Sequence, residues 1–164
     1  MTRAPCPDLA ILLPDEGATS AFGAWLARRL GRGDVILLSG PIGAGKTHLA
    51  RALIRARLGD ETTEVPSPTF TLVQTYDAAE AAVWHADLYR LTHPDEVIEL
   101  GLDAAFDDAI VLVEWPDRLG SRQPPDAIGI TLATDGEGRI ARVAPGGRED
   151  LAEALRRDWK ARDA

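Results

Sequence analysis

The stretch from Gly40 to Thr47, Gly-Pro-Ile-Gly-Ala-Gly-Lys-Thr, matches the spacing G-x-x-x-x-G-K-[ST]. Glycines without a Cβ let the backbone wrap closely around phosphate oxygens and turn its N–H groups toward them. On that reading the amides of Gly43, Ala44 and Gly45 cradle the phosphates. Lys46 reaches the β- and γ-phosphates, and the Thr47 hydroxyl is a Mg²⁺ ligand. A helix beginning at Lys46 adds the positive end of its dipole. A glycine-rich turn can also join a strand to a helix with no ligand at all. Here the apolar run before it and the apolar-periodic segment after it both favour the phosphate reading.

Two acids stand where such a site needs them. Asp87 closes the run Ala-Ala-Val-Trp-His-Ala-Asp, and Glu114 closes Ala-Ile-Val-Leu-Val-Glu. Parallel α/β folds place their chemistry at the carboxyl ends of strands. Asp87 therefore suits a Walker-B role, holding Mg²⁺ directly or through a water. Glu114 suits a second metal contact or the orientation of an attacking water. The competing reading for both is a solvated strand cap. Thr69, in Ser-Pro-Thr-Phe, reads equally as a switch that senses γ-phosphate or metal and as part of a rigid turn. His85 reads as a packed core histidine before it reads as a base, and Tyr89 with Arg90 as a partner-facing surface or an ordinary exposed pair.

The elements that must carry these residues are legible from periodicity. Asp8–Pro14 and Asp34–Gly40 read as short strands, the second buried on both faces. Residues 15–30 place Phe22, Trp25, Leu26 and Leu30 at helical spacing, and residues 46–58 do the same with Leu49, Leu53 and Leu58 before Gly59. The segment from Thr71 to Asp77 alternates like an edge strand. Pro94 opens a helical turn that is acidic at its start. Residues 127–134 and 139–144, joined by Asp-Gly-Glu-Gly, read as a hairpin. Leu151, Leu155 and Trp159 mark a closing amphipathic helix. The expected fold is α/β: a P-loop NTPase-like three-layer sandwich with a largely parallel sheet, a C-terminal β-hairpin and a closing helix.

The 164 residues fit a single domain spanning 1–164. The net charge of −8 gives a field that repels polyanions, so any dealing with RNA goes through a partner protein. Cys6 is the only cysteine, which excludes an intrachain disulfide or a cysteine-based metal site and reads as incidental. The apolar stretch before Pro14 is too short for a signal peptide, and a cytoplasmic setting is the simplest expectation. No Asn-Lys-x-Asp segment reads guanine, which leaves ATP/ADP as the expected nucleotide.

Taken in order, Pro-Asp-Glu-Gly-Ala-Thr, the Gly40–Thr47 loop, Ser-Pro-Thr-Phe-Thr-Leu-Val, His-Ala-Asp-Leu-Tyr-Arg and Val-Leu-Val-Glu-Trp-Pro-Asp-Arg-Leu resemble the TsaE (YjeE) family over residues 14 to about 119. The resemblance implies a weak, Mg²⁺-dependent, partner-dependent ATPase needed for threonylcarbamoyl modification of the tRNA adenosine beside the anticodon (t6A). Its implied partners are proteins resembling TsaB and TsaD, with tRNA met only through them. Lys46, Asp87 and Glu114 then match the catalytic positions, Thr47, Asp87 and Glu114 the metal positions, Thr69 the switch threonine, and Trp115 the tryptophan beside the site. Thr19 and Gly138 match positions that approach the nucleotide. Two residues depart from the family pattern: Pro41 where Asp is common, and His48 where a second Thr is common and where a bulkier donor replaces a phosphate-contacting hydroxyl. The alternative in another class is a small-molecule kinase, which needs an acceptor pocket and an Arg-bearing lid. After Trp115 little chain is left for either.

Overall fold

Side chains that point alternately to opposite faces divide the apolar residues of the central strands into two cores. In the computed structural model, which describes residues 7–164 and so leaves Cys6 outside the described residues, β2 (Val35–Ser39) sends Ile36 and Leu38 to one core and Val35 and Leu37 to the other. β5 (Ile110–Glu114) divides in the same way, Ile110 and Leu112 against Val111 and Val113. Strands covered on both faces need continuous apolar runs, and both have them.

Helices α1 (Glu16–Ala27), α2 (Lys46–Leu58) and α5 (Glu149–Trp159) close the first core, supplying Phe22, Leu26, Leu53, Ile54, Leu151 and Leu155. The second core is closed by α3 (Glu96–Glu99), α4 (Leu102–Asp108) and a 3₁₀ segment over Pro116–Arg122, through Val97, Leu102, Ala105 and Leu119. The result is three layers. The 3₁₀ segment, kinked at Gly120, had no periodic signal in the sequence.

Among the described residues, eight strands form one sheet. With β1 (Leu9–Leu13), β3 (Val73–Tyr76), β4 (Val83–Asp87), β6 (Ile128–Asp135), β7 (Gly138–Ala144) and β8 (Arg162–Asp163), the order is β3-β4-β5-β2-β6-β7-β1-β8. The expectation of a largely parallel sheet is corrected by this topology. Only β4–β5, β5–β2 and β2–β6 pair in parallel, whereas β3–β4, β6–β7, β7–β1 and β1–β8 are antiparallel. Parallel neighbours need long crossovers, while β6 and β7 are joined by a tight turn at Gly136–Glu137 and β3 and β4 by a short link. The N-terminal strand then adds to the hairpin rather than to the parallel centre.

Asp15 caps α1 by accepting the Ala18 N–H at 2.7 Å. An aromatic trio ties α1 to α5, with Phe22 edge-on to Trp159 at 5.3 Å and Trp25 edge-on to Trp159 at 6.3 Å. Asp158 completes the junction by accepting from Trp25 Nε1 at 2.9 Å and Arg29 Nη2 at 3.1 Å. Hydrogen bonds from Arg157 and then Trp25 hold its carboxyl down to about 2, below the ordinary 3.8. A carboxylate whose folded-state pKa is depressed stabilises above its unfolded pKa, and that contribution disappears as pH falls through the folded value. Asp158→Asn is therefore expected to lower the thermal midpoint at pH 7, with the gap to wild type closing between about pH 4 and pH 2. Melts across that range check it, and a gap that does not change with pH would contradict it.

Candidate functional site

The loop between β2 and α2 is shaped by glycines at positive φ. Gly40 has φ of 138°, and a Cβ there would lie 2.4 Å from the Leu132 carbonyl oxygen, so no side chain fits. Gly45, at φ of 102°, turns the chain into α2. Lys46 follows at once. Its ammonium donates to the carbonyls of Gly40 and, at 3.2 Å, Pro41, and lies 4.2 Å from the centre of the Trp115 ring. Burial lowers its pKa, against the opposing pull of Glu114 and Asp87.

Asp87 and Glu114 are register partners at the carboxyl ends of the parallel pair β4–β5. They are only 7% and 2% exposed, which is unusual for carboxylates and removes the solvated-cap reading for both. One oxygen of Glu114 accepts from the Thr47 hydroxyl at 2.8 Å, and the other lies 2.7 Å from His85 Nε2. His85 is completely buried, and its Nδ1 has no partner among the described residues. A neutral ring that donates through Nε2 to an ionised Glu114 leaves only a bare acceptor buried, whereas a doubly protonated ring would bury a bare donor. Burial raises the Asp87 pKa, while the Tyr89 N–H, at 3.1 Å from its Oδ1, opposes that shift.

These groups border one cavity of about 580 Å³, within the size range of small-molecule sites. Thr19, Gly43, Gly45, Lys46, Thr47 and His48 line it, as do Thr69, Asp87, Glu114 and Gly138. Of the residues expected from sequence to bind nucleotide or metal, Ala44 alone is not among the lining residues. It is fully buried against the first core and donates its N–H to the Pro41 carbonyl at 3.1 Å. His48 takes Ser20 Oγ on α1 as its partner at 2.9 Å, and Thr69 shares a hydroxyl contact with Ser67 at 3.0 Å. Among the described residues no group of three or more His, Cys, Asp or Glu side chains is placed to hold a metal.

The family model for Threonylcarbamoyl adenosine biosynthesis protein TsaE matches residues 13–142. The chain belongs to the TsaE family. It is 36% identical to the tRNA threonylcarbamoyladenosine biosynthesis protein TsaE of Rickettsia conorii over 143 residues, covering 87% of this chain and 81% of that one. The protein of the same name from Nostoc is 38% identical over 142 residues, 82% of this chain and 85% of its own. The crystal structure of Bacillus subtilis YdiB superposes with a TM-score of 0.73 at 27% identity, covering 95% of this chain and 98% of that one.

In this TsaE-family site the sequence left several residues unread. Arg139 on β7 reaches across to the phosphate loop, donating from Nε to the Ala44 carbonyl at 3.0 Å and from Nη2 to that of Gly43 at 3.2 Å. Glu137, Asp15 and Glu16 border the same cavity. Nothing in the local pattern of a hairpin announces such contacts, because they exist only once β7 pairs with both β1 and β6. Tyr89 and Trp115, 5.0 Å apart, line the cavity too, while Phe70 is 80% exposed beneath the Arg90 guanidinium at 4.5 Å.

Proposed function

We propose that this chain binds ATP with Mg²⁺ in the cavity and hydrolyses it slowly, as an accessory protein of tRNA threonylcarbamoyladenosine (t6A) biosynthesis. It acts with partners resembling TsaB and TsaD, in the cytoplasm. The pathway follows from membership of the TsaE family. The Thr47–Glu114 hydrogen bond at the foot of the glycine loop carries the nucleotide reading. That bond takes up the hydroxyl proton and leaves the Thr47 oxygen free to act as a metal ligand.

The donor set fits Mg²⁺, which takes hard oxygens and is held through one or two carboxylates together with substrate phosphates rather than by a protein cage. Thr47, Asp87 and Glu114 would hold it. When bound, the ion supplies neutralisation of phosphate charge. The remaining chemistry belongs to the chain. The loop amides and the N-terminus of α2 bind the phosphates, and Lys46 adds the charge that offsets them. Glu114, steadied by His85 and Thr47, or Asp87 beside it, would orient a water.

The net charge of −8 argues that tRNA is met only through partners. Calorimetric titration with ATP and Mg²⁺ should show saturable binding, whereas tRNA in physiological salt should show none with the isolated protein. Failure to bind ATP with Mg²⁺ would end the nucleotide reading, and saturable tRNA binding would end the partner-mediated one.

A further inference from the structure

We infer that Arg139 is a positioning residue that sets the direction of the phosphate-loop peptide groups from outside the loop, and this inference rests on the nucleotide reading above. Three of its N–H groups are committed: Nε to Ala44, Nη2 to Gly43, and Nη1 to its own neighbour Gly138 at 2.8 Å. In a trans peptide the carbonyl and the following N–H point in opposite directions. Holding the Ala44 carbonyl on the Arg139 side therefore turns the Gly45 N–H away from it, and Gly45 lines the cavity. Holding the Gly43 carbonyl likewise turns the Ala44 N–H, which is donated to Pro41 to close the turn at 3.1 Å. The planar guanidinium fork suits two carbonyls at once, which a point charge does not.

The seat of Arg139 is rigid. Its Cα pairs with Leu13 on one side and Thr134 on the other. Gly138 beneath it has no room for a Cβ, which would lie 2.7 Å from the Leu13 carbonyl oxygen. The Arg139 side chain thus carries the hairpin's hydrogen bonds to the carbonyls of the phosphate loop, three strands away from β5, which bears Glu114. Because the guanidinium is held by backbone carbonyls, it acts through the loop rather than on the reacting phosphate.

The test compares wild type with Arg139→Ala and Arg139→Lys. ADP with Mg²⁺ is expected to bind Arg139→Ala about tenfold more weakly, because a loop without its two carbonyl hydrogen bonds must be ordered as the nucleotide binds. AMP, which lacks the β-phosphate the loop grips, should be little affected. In ¹H–¹⁵N spectra taken without nucleotide, the Gly45 and Lys46 amides should shift in Arg139→Ala while those of Ala86 and Val113 stay in place. Equal weakening of AMP and ADP, or an unmoved Gly45 amide, would overturn the inference. Full recovery of affinity by Arg139→Lys would replace it with simple charge attraction, and a fall in kcat with unchanged ADP affinity would replace it with an arginine acting on the phosphate. Failure of wild type to bind ADP would instead defeat the nucleotide reading, and the amide comparison would still decide the role of Arg139.

Discussion

Lys46→Ala is expected to weaken ATP binding by about 30- to 100-fold while the protein stays folded, the equivalent of about 2–3 kcal/mol for a lost charge-assisted hydrogen bond. The lysine is 6% exposed and its ammonium is met by two loop carbonyls and the face of Trp115, all neutral groups. Asp87 and Glu114 do not compensate its burial fully, since desolvation is the dominant influence on it. A triphosphate would supply the missing negative charge. For the same reason, deleting the side chain removes a costly buried charge together with its hydrogen bonds, so the thermal midpoint should move little. Calorimetry and a melting curve on the same sample separate the two effects. Wild-type affinity in the variant would mean that the loop does not grip phosphate through this residue.

Glu114→Gln is expected to leave ADP affinity close to wild type and to reduce partner-stimulated hydrolysis by about 10²- to 10³-fold, the scale seen when a preorganised electrostatic contact to a transition state is lost. Glutamine has the same length and its carbonyl can still accept from Thr47. It carries no charge, and its amide presents donors toward His85 Nε2, the donor to the carboxylate in the neutral-ring arrangement. Reversing that contact would require the His85 proton to move to Nδ1, which has no partner among the described residues. The substitution therefore strikes both the charge and its support. A complete modification assay with purified partners provides the readout. Unchanged turnover would reduce Glu114 to a buried anchor for Thr47.

The two acids illustrate how chemistry and position were separately legible. Their placement at strand ends followed from apolar runs that stop at a carboxylate, and the structure aligns Asp87 with Glu114 as neighbours. The sequence read Asp87 as the Walker-B acid and Glu114 as a second metal contact or water-orienting group. In the structure Glu114 accepts the hydrogen bond of the loop threonine, because β5 and not β4 adjoins β2. Strand order is a property of crossover connections, and no local pattern encodes it. His85 was rightly read as buried, yet its one hydrogen bond goes to the acid nearest the loop.

The amino-acid sequence alone determined what depends on neighbours along the chain. Helical and strand periods, the glycine loop and the acids that end β4 and β5 are set within a few residues of each other. Tertiary structure decided what depends on distant segments meeting: the antiparallel majority of the sheet, Glu114 under Thr47, and Arg139 over the loop. The first kind of information lies in steric and hydrophobic preferences that act over one or two turns. The second comes only from strands that meet across long stretches of chain, β5 beside β2 for Glu114 and β1 beside the hairpin for Arg139, which brings together groups that share no local signal.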